Sequence, residues 1–100
     1  MQAARVLSLR VPPERLEEVT STYRNVLLPY VEDRVQGFSA LLLLVNPDTG
    51  SVFDITLFES EEDRRESERE ESMLDRKMTT LAKVLGESPH IENYELRLIS

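Results

Sequence analysis

The chain has no cysteine and no tryptophan, a single histidine and only three glycines in 100 residues. Without cysteine there are no disulfides, no thiolate metal sites and no thiol nucleophile, and the composition suits a reducing compartment. One histidine, His90 behind Pro89, makes no metal site by itself; it reads as a solvated loop residue rather than a general base. No phosphate-cradling glycine loop, nucleophile elbow or Ser/His/Asp set occurs, so no metal and no cofactor is expected. The longest apolar run, Ala40 to Val45, falls far short of the ~20 residues that span a bilayer. The N-terminus lacks the basic-then-apolar pattern of a signal peptide, and a cytoplasmic location is expected. A net charge of −7 weighs against nucleic acid or an anionic membrane as a partner and reads as solubility.

What is present is pattern. Arg5 to Val11 alternates as a half-buried strand, and Pro12-Pro13-Glu14 ends it and starts a helix. Leu16, Val19, Tyr23, Val26, Leu27 and Tyr30 then recur at helical spacing. Pro29 predicts a kink or break, followed by a short helical piece ending near Gly37. Phe38 to Val45 is apolar on both faces, as in a strand covered on both sides. Asn46-Pro47-Asp48-Thr49-Gly50 predicts a hairpin turn, with glycine where φ is positive. Val52 to Phe58 alternates again. Ser60 with Asp63 is a variant capping box, followed by a helix to about Leu85 and Gly86. Within that helix Glu61–Arg65 and Arg64–Glu68 are spaced as exposed ion pairs, and Leu74, Met78, Leu81 and Leu85 form the apolar stripe. Ile91 to Ile99 predicts the last strand.

The order β-α-β-β-α-β over residues 1–100 predicts one α+β domain. A four-stranded antiparallel sheet would carry both helices on one face, the ferredoxin-like arrangement. Alternation assigns Leu7, Leu9, Phe53, Ile55, Leu57, Tyr94, Leu96 and Leu98 to the helix side. Val6, Ser8, Arg10, Asp54, Thr56, Asn93, Glu95 and Arg97 fall on the opposite side, with half of the 38–45 strand. No helix remains to cover that side, so a two-fold homodimer packed face to face is expected.

Gly37-Phe38 at the start of the second strand and Phe58-Glu59-Ser60 between the third strand and the next helix carry a family resemblance. With the element order, they make the chain similar to the dimeric α/β-barrel superfamily, and within it to the antibiotic-biosynthesis-monooxygenase-like (ABM) group. The resemblance implies a dimer whose sheets form a barrel, with a small organic ligand between each sheet and its own helices. It also implies oxygenase-type chemistry without a cofactor. Catalytic relatives resemble one another in an asparagine on the first strand and a tryptophan ending the third, and haem-degrading ones in a histidine on the second helix. Here the first strand has no asparagine, the tryptophan position holds Phe58, and the second helix has no histidine.

Candidate cleft residues are Tyr23, Phe58, Arg64, Ser67, Glu71 and Tyr94. Strict alternation points Phe58 to the barrel side unless the strand bulges. Counting back from the Leu74–Leu81 stripe puts Glu71 or Glu70, Ser67 and Arg64 over the sheet as a polar lid, or else that half projects past the sheet into water or against the partner subunit. Arg10, Asp54, Glu95 and Arg97 form a candidate charged set on the barrel face, read either as a site or as ion pairs that fix the dimer register. The tyrosines read as core residues with a hydroxyl reaching a partner. Two functions follow: a small-molecule-binding ABM-like homodimer with cofactor-free oxygenase chemistry, or a non-catalytic dimeric interaction or ligand-sensing domain.

Overall fold

A computed structural model describes residues 2–69, 73–82, 84 and 89–100. Strand β1 (Ala3–Arg10) leads through a 3-10 turn (Pro13–Arg15) into α1 (Leu16–Thr22), a π turn (Tyr23–Leu27) and α2 (Leu28–Arg34). Strands β2 (Phe38–Val45) and β3 (Ser51–Phe58) form the hairpin, and α3 (Glu61–Glu66), α4 (Met73–Leu81) and β4 (His90–Glu95) complete the order. The sheet is antiparallel with strand order β2-β3-β1-β4. This is the ferredoxin-like fold the pattern predicts.

Local chemistry sets the joints as expected. Asn46 Oδ1 accepts from the Asp48 and Thr49 amides at 2.9 and 3.3 Å, and Gly50 has φ 80°. A Cβ on Gly50 would sit 1.8 Å from the Val11 carbonyl oxygen, so the turn has room only for glycine. Ser60 Oγ accepts from the Asp63 amide at 3.1 Å and donates to the Asp63 carboxylate at 2.9 Å, closing the cap of α3. Pro29 does not break the first helix. The backbone stays helical through it, and Leu28 N–H bonds the Tyr23 carbonyl five residues back. One wide turn takes up the donor that proline lacks. The helix then ends at Arg34, before Gly37.

The faces of the sheet correct the alternation reading. Pairing sets Leu7 opposite Asp54, Arg5 opposite Thr56 and Ala3 opposite Phe58. Leu7 and Leu9 lie in the core with the helix residues Val19, Tyr23 and Leu27, so Asp54, Thr56 and Phe58 face the helices as well. Phe53, Ile55 and Leu57 point to the opposite side, alongside Ser8, Val6 and Ala4. On β4, Tyr94 pairs with Ala4 and shares that side; Asn93 and Glu95 pair with Arg5 and Ala3 and share the helix side. The last strand ends at Glu95, with one further bond from Leu96 N–H to the Gln2 carbonyl, and Leu98 is exposed.

Strand β2 is apolar on both faces, but within this chain only one face is covered. Leu41 and Leu43 pack against the core, while Leu42 and Leu44 stand 43% and 50% exposed on the side away from the helices. Phe53 and Tyr94 are similarly exposed there. That side is therefore more apolar than its predicted complement of Asp54, Thr56, Asn93 and Glu95 would have made it. The predicted second helix is described as two pieces, α3 and α4. Glu70, Glu71, Leu85 and Gly86 lie outside the described residues. No helix among the described residues is long and apolar enough to cross a membrane.

Candidate functional site

Between sheet and helices lies a ladder of buried polar groups. Asp54 stands at its centre on β3. Its carboxylate accepts from the Tyr23 hydroxyl at 2.7 Å and from Thr56 Oγ1 at 2.9 Å, and ion-pairs with Lys77 Nζ of α4 at 2.7 Å. Lys77 also donates to Thr56 Oγ1 at 3.0 Å. Asp54 and Lys77 are each 1% exposed. One rung along β1, buried Arg5 donates to Ser67 Oγ at 2.6 Å, lies 3.8 Å from Glu68 and stacks over the Phe58 ring. Arg64, also buried, pairs with Glu68 at 2.8 Å. Ionic groups this deep persist only when paired.

Burial pulls Lys77 below its ordinary value, while Asp54 pushes it back up. Burial, reinforced by the Asp54 carboxylate, drives the Tyr23 phenol well above its ordinary range. The sign of the linked effect follows. Above about pH 10 the unfolded phenol releases its proton while the folded one keeps it, so stability falls there by about 1.4 kcal/mol per pH unit. Tyr23→Phe is expected to remove that share of the slope, as read by urea unfolding between about pH 9 and about pH 11. An unchanged slope in the variant refutes the assignment.

Two openings flank the ladder. On the β2 edge, a cavity of about 270 Å³ is bounded by Thr20, Tyr23, Arg24 and Leu28 of the first helix and by Leu41, Leu43 and Val45 of β2. On the β4 edge, a smaller one of about 140 Å³ lies among Ala3, Arg64, Asn93 and Glu95. Tyr23 joins the larger cavity to the ladder, since it forms part of the wall while its hydroxyl is held by Asp54. No group of three or more His, Cys, Asp or Glu suited to a metal occurs among the described residues.

No family model and no curated protein matches the sequence. Solved structures do. The chain superposes on a Caulobacter crescentus protein provisionally named an antibiotic biosynthesis monooxygenase, with TM-score 0.75 and 15% identity over 97% of this chain and 91% of that one. It matches a monooxygenase of the Streptomyces coelicolor gene ActVA-Orf6, solved with nanaomycin D, with TM-score 0.74 and 17% identity over 98% and 89%. SnoaB, a cofactor-independent oxygenase from Streptomyces nogalater, matches with TM-score 0.65 and 17% identity over 98% and 95%. The fold is that of the antibiotic-biosynthesis monooxygenases. At these identities the likeness is one of fold.

On this ABM fold the candidate residues sort unevenly. Tyr23, Phe58, Arg64 and Ser67 are all buried on the helix side. Arg64 and Ser67 thus pack down on the helix side rather than project into water, and Glu71 lies outside the described residues. Phe58 faces the helices, packed with Val31, Tyr30, Val35 and Phe38, rather than the barrel side. The irregularity sits on its neighbour, where the β2–β3 register shifts between Phe38 and Ala40. Tyr94 pairs with Ala4 and so faces the other side of the sheet, and it lines the smaller opening at the β4 edge rather than the larger cavity.

The charged set on the barrel face does not form. Asp54 and Glu95 are on the helix side, Arg10 is exposed at the end of β1, and Arg97 lies beyond β4, paired with Glu95 at 2.9 Å. Sequence reasoning missed Arg5 and Lys77. Lys77 stands three residues after Leu74 and four before Leu81, inside the buried stripe. A charge at such a position is the signal that could have shown a buried partner across the cleft.

Proposed function

We propose that the protein is a homodimer closed through the helix-free sheet faces, and that each helix–sheet cleft binds a small planar organic molecule. The chemistry open to it there is cofactor-free oxygenation. The observation that carries the reading is the cavity of about 270 Å³ walled by Tyr23, whose hydroxyl is held by buried Asp54. The cavity is small, just below the ~300–1,000 Å³ usual for ligand sites. The fold it shares with a cofactor-independent oxygenase and with a monooxygenase holding nanaomycin D supports the ligand class. A Tyr–Asp pair at the cavity wall is a path for the proton that an acidic carbon must lose before it meets oxygen.

Anthrone is a suitable probe. Its methylene carbon loses two hydrogens, one atom of O₂ becomes the new carbonyl of anthraquinone, and the other leaves in water. Oxygen uptake equal to quinone formed, on the order of a hundredfold above buffer and without added metal or flavin, is expected. Bound anthrone with no acceleration overturns the oxygenase part. It supports the second reading, a non-catalytic dimeric sensing or interaction domain. One observation favours that alternative: Asp54 already serves Tyr23, Thr56 and Lys77 at once.

A further inference from the structure

The cavity at the β2 edge is chemically lopsided. Leu28, Leu41, Leu43, Val45 and Tyr23 make its walls apolar, and among the described residues Arg24 is the one charged group that lines it. Arg15, Arg34, Arg64, Arg65, Arg69 and Arg97 each have a carboxylate within 4.0 Å. Arg24 has none among the described residues, in a chain with 19 acids to 12 bases. Arg10 and Arg76 share that lack, and neither lines the two openings described above. The π turn that absorbs Pro29 contains both Tyr23 and Arg24, and turns of this kind recur where helices present functional side chains.

The polarity of the site runs from inside to rim. At the inner end the Tyr23 hydroxyl is already donating to Asp54, so it offers no proton to a ligand anion. At the rim the exposed Arg24 guanidinium has its donor fork open, a geometry that fits a carboxylate with two parallel bonds. We propose that the cavity takes a planar aromatic acid, with its ring between Tyr23 and the leucines of β2 and its carboxylate on Arg24. This assignment rests on the ligand-binding reading above and names the chemistry of its ligand.

Calorimetry on the full chain with 2-naphthoate and its uncharged isostere 2-naphthamide tests it. Wild type is expected to bind the acid about tenfold or more tighter than the amide. Arg24→Gln should erase that margin and leave the amide unchanged, and Leu43→Trp, which fills the cavity, should abolish both. Should L43W not fold, shifts of the Leu41 and Leu43 methyl resonances in wild type on adding either probe replace it. Equal binding of the two probes, or a margin that survives R24Q, overturns the carboxylate anchor while the cavity stands. Binding of neither probe, or binding that ignores Leu43, overturns the ligand site itself.

Discussion

Asp54→Leu is expected to destabilise the protein by about 3–5 kcal/mol, because it leaves the Lys77 ammonium buried without a counter-charge. The variant also strips the acceptor from the Tyr23 hydroxyl and from Thr56, and each orphaned buried group adds to the loss. Lys77 responds by giving up its proton more readily. Burial already lowers it and Asp54 is the group that raises it, so without Asp54 it falls further. In the window below about pH 10.4 the unfolded state then binds more protons than the folded one, and the stability of the variant rises with pH there. The double variant Asp54→Leu with Lys77→Met should recover most of the loss, since removing both members of a buried pair is commonly near neutral. Urea unfolding at several pH values checks all three statements. A single variant within about 1 kcal/mol of wild type would show that the pair is not buried as described.

Ile55→Asp is expected to abolish the proposed dimer while leaving the monomer folded. Ile55 lies between Val6 of β1 and Leu42 of β2, near the middle of the side away from the helices. It is only partly buried there, so in one copy a carboxylate keeps contact with water. In a face-to-face dimer the same carboxylate meets its symmetry mate across an apolar interface, losing hydration and facing a like charge. A weakening of self-association by about a hundredfold or more follows, equivalent to roughly 3 kcal/mol. Sedimentation velocity at micromolar protein should show dimer for wild type and monomer for the variant, with unchanged circular dichroism. A wild-type monomer under those conditions would remove the basis for the barrel.

The joints of the fold were legible because each is local chemistry. Asn46 to Gly50 and the Ser60–Asp63 cap need only their own side chains and the adjacent backbone. The site was legible in part. Arg64 and Ser67 follow from helical projection, and Tyr23 from its apolar stripe with a polar tip. The facing of β3 was not legible, because Phe53-Asp54-Ile55-Thr56-Leu57-Phe58 alternates equally well in either sense. The apolar set belongs inside only if the other side of the sheet is wet, and that condition is not written in the strand.

The sequence by itself determined the order of elements, the hairpin, the helix cap and the two-sided character of Phe38 to Val45, all of which depend on neighbours within a few residues. Only the tertiary structure decided that Asp54 points inward, that Lys77 reaches it from α4 and that Arg5 reaches Ser67. Those pairings depend on strand register and on how α4 lies over the sheet. A shift of one residue in register would have sent Asp54 on β3, or Arg5 on β1, to the opposite face.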